Sequence, residues 1–302
     1  PAFAMTRKDG KVYGRGSADM KGFVAAMLSA ARKAAGQNLR TPLHLALSYD
    51  EEIGCIGVRS MIDMLSAAPH LPLMCVVGEP TGLAVATGHK GKMAARARFT
   101  GRAGHSALAP FAVNALYLAN DFITVLRDVQ ADLQASGGQD ADYDVPYTTL
   151  HVGRISGGGA LNIVPHHCEL DFEIRNLAQD DPQEILQRLK RAAQQIADTA
   201  RTDAPEANVE IEVFNTYPGL DTPPGAAVVG FVKSLTGANG SYKVAYGTEG
   251  GLFNQRLGVP TVVCGPGDMA QGHKPDEFVS EAQLTACDVM LSNLVARLVE
   301  GV

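Results

Sequence analysis

The sequence predicts an α/β protein with a mostly parallel sheet, interrupted by an α+β insert. Three observations carry that reading. Apolar runs that suit buried strands (residues 43–49, 73–77 and 260–264) alternate with stretches of helical spacing, the pattern of an α/β layer. In mid-chain the period changes to two: Met93, Ala95, Ala97 and Phe99 alternate with Ala94, Arg96, Arg98 and Thr100, as in a half-exposed antiparallel strand. Pro218 and the Pro223-Pro224 pair then mark a return to the first pattern. The larger domain is therefore expected to be discontinuous, residues 1–85 and 218–302, around an insert of residues 86–217.

The elements follow in order. Gly14 to Gly22 leads into a helix over residues 23–35, where Phe23, Met27 and Ala31 share a face. A buried strand is expected to end at Tyr49, followed by a helix over 58–65 and a short strand over 73–77. Within the insert the alternating strand precedes a helix over 113–129 and a polar, glycine-rich loop over 136–144. Cys168, Leu170, Phe172 and Ile174 mark a second alternating strand, and a helix covers 185–197. The last segment holds a helix near 226–235, a strand over 260–264 and a terminal helix over 281–299.

Composition narrows the function classes. The chain has 302 residues, 46% hydrophobic and 19% charged, enough for a sizeable core and about two domains. A net charge of −6 without any Lys/Arg-rich run argues against nucleic acid or an anionic membrane as partner. No apolar stretch reaches the roughly 18 residues of a membrane span. The five cysteines are scattered and form no C-x-x-C pair, so reduced thiols in a cytoplasmic protein are expected, and no signal peptide is evident.

Asp50-Glu51-Glu52, following directly on the apolar run 43–49, is the most informative feature. Two like charges ~4 Å apart cost about 4 kcal/mol at an effective dielectric of 20, so a proton, an arginine or a metal must relieve them. Three more motifs place an acid or histidine beside glycine or proline: Asp19 in residues 14–22, Glu79 in Gly78-Glu79-Pro80-Thr81, and His273 in His273-Lys274-Pro275-Asp276-Glu277. Singly, Asp19 reads equally well as a helix N-cap, Glu52 and Glu79 as solvated acids, and His273 as a surface histidine. Together they supply the carboxylate and imidazole donors of zinc or a related divalent ion. Glu51 and Glu52 point apart near a strand end, so one can bind metal while the other carries a proton.

In this order the four motifs resemble those of the co-catalytic dizinc aminoacylase/carboxypeptidase/desuccinylase family, over essentially the whole chain. Residues 247–253, 263–267 and the His273 motif resemble its deacetylase branch, with the desuccinylases nearest. The resemblance implies a phosphorylase/hydrolase-like catalytic domain and a ferredoxin-like lid that also forms a homodimer. It implies two Zn2+, replaceable by Co2+, with Asp19 bridging them, Glu52 and His273 completing one site, and Glu79 in the other. Glu51 is then the general base and acid. His105 matches a lid histidine that steadies the oxyanion in the partner's site, Asn162 and Arg175 match substrate-holding lid residues, and Gly247 and Thr248 match a loop touching the same substrate group. The activity implied is removal of an acyl group from a small N-acyl amino acid.

For the lid residues plainer readings stay open: a structural ion pair for Arg175, a turn residue for Asn162, a cap or loop histidine for His105. One departure stands out. None of the eight histidines has aspartate two places on, so the family's first His-x-Asp metal motif is missing. The family places it upstream of the equivalent of Pro1. The expectation is one site with its ligands intact, a second reduced to Asp19 and Glu79, and apolar sheet surface left open. An inert lid-and-scaffold protein is the reading from another class; the surviving Glu51 argues against it.

Overall fold

The computed structural model describes residues 2–302. It divides into two compact units, one running to His89 and resuming at Leu220–Val302, the other spanning Lys90–Gly219. The first unit opens with β1 (Thr6–Lys8), β2 (Lys11–Tyr13), α1 (Gly22–Ala34), α2 (Val58–Ser66), β3 (Cys75–Pro80) and β4 (Val85–His89). The second holds β5 (Lys92–Thr100), β6 (Gly104–His105), α3 (Ala115–Ser136), β7 (Thr149–Gly157), β8 (Ile163–Val164), β9 (His167–Arg175), α4 (Pro182–Arg201) and β10 (Asn208–Tyr217). The chain then returns through β11 (Leu220–Asp221), α5 (Ala227–Thr236), β12 (Ser241–Val244), α6 (Gly250–Leu257), β13 (Thr261–Gly265), β14 (Phe278–Ser280) and α7 (Glu281–Glu300). The division falls a few residues later than the composition shift at 85 and 217 places it. The reason is that β4 belongs to the first sheet, where it pairs with β11, β12 and β13.

That first sheet runs β11-β4-β13-β3, with β12 on β4. It is mixed: β13 pairs with β3 and β12 with β4 in parallel, whereas β11 and β13 pair with β4 antiparallel. One side is closed by α1, α5 and α7, whose Phe23, Val228, Val232, Met290 and Leu291 pack with Val262 and Cys264 of β13. Gly78 is the tightest joint. A Cβ there would fall 2.0 Å from the Phe23 ring, so only glycine lets β3 lie against the start of α1. That approach brings Glu79, at the C-terminal end of β3, toward the turn that carries Asp19.

The expected buried strand over residues 43–49 does not form. These residues have no ladder partner among the described residues; Leu43 and Leu45 are half-buried, and residues 46–49 are all exposed. The Arg40 and Thr41 N–H groups both donate to the Leu298 carbonyl, which ties down the start of the segment. Beyond it, Leu47 and Tyr49 are 56% and 65% exposed. Apolar character alone cannot make a strand: the backbone donors and acceptors must meet a neighbouring strand, and none of the described residues provides one.

The second unit has the order β-α-β-β-α-β (β5, α3, β7, β9, α4, β10), and its antiparallel sheet runs β10-β5-β9-β7. This is a ferredoxin-like arrangement. The two-residue alternation of β5 is realised from Ala95 to Thr100, while Ala94, expected on the exposed face, is buried. Met93, Ala95, Ala97 and Phe99 are wholly buried against α3 and α4, with Phe122 of α3 tilted against Phe99 and edge-on to Phe172. On the opposite face Arg96 forks onto Asp171, while Arg98 bridges Glu169 and Glu212 across neighbouring strands.

Candidate metal centre

Asp19, Glu52 and His273, 33 and 221 residues apart in sequence, meet in the first unit. Their ligand atoms all lie within 4.8 Å of one another, the one such grouping found among the described residues. His273 Nε2 is 3.0 Å from Asp19 Oδ2 and 3.1 Å from Glu52 Oε2. Local backbone explains the convergence. Gly16 takes a left-handed conformation (φ 79°) that turns the chain ahead of α1 and presents Asp19. His273 itself has φ 55°, as does Cys55, and Asp50 has φ 54°; non-glycine residues held there cluster at functional sites.

Glu79 joins this group from the other side. Its side chain is 5% exposed, and Oε2 is buried with no hydrogen-bond partner. Burial above all, then Asp19, with which it shares a hydrogen bond, and the neighbouring Glu51 and Glu249 push its carboxyl well above the usual range. Glu51 lies beside Glu52 but outside the triad. Burial is the main cause that raises it to about 7; the Cys55 thiol, donating to Oε1 at 3.4 Å, works against this, and Glu249, Glu52 and Asp19 add to it.

Five carboxylates are thus gathered around one imidazole, and none forms an ion pair with lysine or arginine among the described residues. A cation fits the donor set: three convergent O/N ligands, a fourth carboxylate with an orphaned buried oxygen, and a concentration of acids that no lysine or arginine among the described residues pairs with.

Other predicted residues fall as follows. Thr248 is buried, and its hydroxyl accepts the Gly250 N–H at 3.0 Å, so its side chain shapes the turn into α6; Gly247 precedes it in the same loop. In the second unit His105 is exposed, and its Nδ1 accepts the Ala107 N–H at 3.2 Å, a capping contact. The Asn162 carbonyl accepts the Ser106 N–H at 2.9 Å, which sets Asn162 beside the His105 strand. Arg175 is forked onto Glu173 (3.0 and 3.3 Å) and donates to the Tyr217 hydroxyl at 3.1 Å. Two acids escaped sequence reasoning. Glu249, raised by burial and with Oε1 buried and unpartnered, follows strand β12 as Glu52 follows an apolar run; that position was the available signal. Glu277, 2% exposed, closes the His273 motif.

A cluster of carboxylates and one imidazole at the edge of an α/β sheet, with a carboxyl poised near neutrality beside it, defines a metal-dependent hydrolase. Comparison with known proteins agrees. The model for peptidase family M20/M25/M40 matches residues 2–297, and the chain belongs to that family. It is 34% identical to an acetylornithine deacetylase from Myxococcus xanthus, covering 99% of this chain and 76% of the relative. It is 33% identical to an acetylornithine deacetylase from Pasteurella multocida (strain Pm70), covering 99% and 75%. The fold is shared with a tripeptidase from Staphylococcus aureus (TM-score 0.78, 21% identity, 99% of this chain and 78% of that one). It is also shared with an M20 family metallo-carboxypeptidase from Sulfolobus solfataricus (TM-score 0.76, 20% identity, 98% and 79%). Among the described residues no helix is long and apolar enough to cross a membrane.

Proposed function

We propose that the chain hydrolyses N2-acetyl-L-ornithine to ornithine and acetate, a step of arginine biosynthesis. The convergence of Asp19, Glu52 and His273 with Glu51 beside them carries the chemistry of this reading. The names of the relatives at 33–34% identity support the choice of substrate. Asp19, Glu52 and His273 would hold one Zn2+, with Co2+ a competent substitute. Glu79, which shares Asp19, would hold a second ion more weakly.

A bound divalent cation supplies Lewis acidity toward water and toward an amide carbonyl oxygen. The protein's own groups do the rest. Glu51 in its ionised form takes the proton of the attacking water and hands it to the departing amine nitrogen; a carboxyl raised to about 7 suits both transfers near neutral pH. His105 accepts at Nδ1, so its neutral ring carries hydrogen on Nε2, the form that donates to a developing oxyanion. Arg175 suits a substrate carboxylate, and Asn162, Gly247 and Thr248 are the further substrate contacts that the family resemblance implies.

Comparing kcat/KM for N2-acetyl-L-ornithine and N-succinyl-diaminopimelate, with Zn2+ or Co2+ supplied, tests the assignment. At least a tenfold preference for the acetyl substrate is expected. Preference for the succinyl compound would make the chain a desuccinylase, and hydrolysis of neither would favour the inert scaffold.

The Lys90–Gly219 unit would act as lid and dimerise. Its exposed Phe111, Tyr117 and Leu161 (78%, 70% and 102%) are the apolar surface that supports this. Sedimentation should give twice the 31.8 kDa chain mass, and a strict monomer at micromolar concentration would refute it. Five free cysteines suit a cytoplasmic location.

A further inference from the structure

Glu277 is nearly inaccessible, yet its carboxylate binds no lysine and faces main chain. Oε1 accepts the N–H groups of Ala18 (2.9 Å) and Asp19 (3.0 Å); Oε2 accepts the Gly16 N–H (2.7 Å) and Arg15 Nη1 (3.2 Å). Three convergent backbone amides around a left-handed glycine form an anion nest, and here the anion is supplied by the protein itself. The nest is reached along a ladder. β14 pairs with β2 through Phe278 and Tyr13, and the Gly14 N–H then donates to the Glu277 carbonyl at 3.1 Å. Continuing from that ladder, the side chain crosses to the turn that bears Asp19. Four residues earlier on the same loop stands His273, and a Cβ on Gly272 would lie 3.7 Å from the Asp19 Cβ.

We propose that Glu277 is a positioning residue for the metal centre: one carboxylate holds the Asp19 turn and the His273 loop in the register that brings their ligand atoms together. This rests on the reading of Asp19, Glu52 and His273 as metal ligands. Holding the Asp19 peptide by its own N–H fixes where the side chain leaves the backbone. Anchoring the same carboxylate four residues from His273 fixes the second ligand against the first. Both oxygens act only as acceptors, so glutamine cannot replace the group. Its NH2 would face either the amides of Ala18 and Asp19 or that of Gly16 with Arg15, and one set would lose its acceptor.

The test is Co2+ binding to the full chain, followed by the visible absorption of the bound ion, in wild type, Glu277→Gln, Glu277→Asp and Asp19→Asn. Folding is checked by circular dichroism. Both Glu277 variants should fold, bind Co2+ at least about tenfold more weakly and show an altered absorption band, the scale seen when a ligand's supporting partner is lost. A folded Glu277 variant with wild-type affinity and spectrum would overturn the proposal. So would loss of folding in both, which would make Glu277 a general stability residue. Asp19→Asn keeps the two failures apart: if it too binds like wild type, the ligand assignment has failed, not the clamp alone.

Discussion

Glu51→Gln is expected to lower kcat by about 10²- to 10⁴-fold, the usual contribution of a general acid–base group, while divalent-ion affinity stays within a few-fold of wild type. The geometry separates the two effects. Glu51 lies outside the cluster in which Asp19, Glu52 and His273 have ligand atoms within 4.8 Å of one another, and its Oε1 takes the Cys55 thiol instead. The amide is isosteric and cannot accept a proton. The pH profile supplies an independent readout. A base works when ionised, so wild-type kcat/KM should rise with pH along an acid limb set by Glu51, whose carboxyl sits at about 7 before a neighbouring cation draws it down. That limb should vanish in the variant's residual activity. A large loss of metal affinity in Glu51→Gln would instead make Glu51 a ligand and leave the reaction without its base.

The parts of this site that could be read in the sequence are those whose chemistry is local. Asp50-Glu51-Glu52 declares its need for a counter-charge wherever it lies, and the alternation from Met93 to Phe99 is a two-faced strand in any context. What failed was a judgement about partners. Residues 43–49 have strand-like composition, but a strand exists only when a neighbour meets its amides, and sequence does not say which neighbour is there. Glu277 was hidden for a related reason. Its acceptors are matched by amides some 260 residues earlier, and main-chain donors leave no mark in a sequence. Glu249 could have been found, since it follows a strand and precedes paired glycines as an acid entering a helix. His105 and Arg175 show the reverse limit. Their residue types suit an oxyanion and a carboxylate, yet their contacts within the second unit are a cap and an ion pair.

Stripped of divalent ions, the chain should lose stability as pH rises from about 4.5 to 7, opposite to the trend of a protein held by paired carboxylates. Glu51 moves from 4.5 to about 7 on folding, chiefly through burial, and Glu79 and Glu249 are raised for the same first cause. Between those pH values the folded chain keeps protons that the unfolded chain has released. Stability therefore has a negative slope: its full contribution is present below the unfolded value and is lost as pH passes the folded one. For Glu51 alone the rise from 4.5 to about 7 corresponds to roughly 3 kcal/mol. Glu277, Asp171, Glu173 and Glu206 are held below the usual range, so their contributions are lost only as pH falls below the ordinary carboxylate value and leave the slope above it unchanged. Urea unfolding in chelator across pH 5–8 should show the decline, and Glu51→Gln should flatten it, because the amide has no proton to lose. Zn2+ should reverse the sign. The ion binds the ionised carboxylates, so its stabilisation grows with pH and reaches about 2.7 kcal/mol at a hundredfold excess over Kd. A chelated chain as stable at pH 8 as at pH 5 would mean that its carboxylates are already compensated, and the physical case for a cation at Asp19, Glu52, Glu79 and His273 would fall with it.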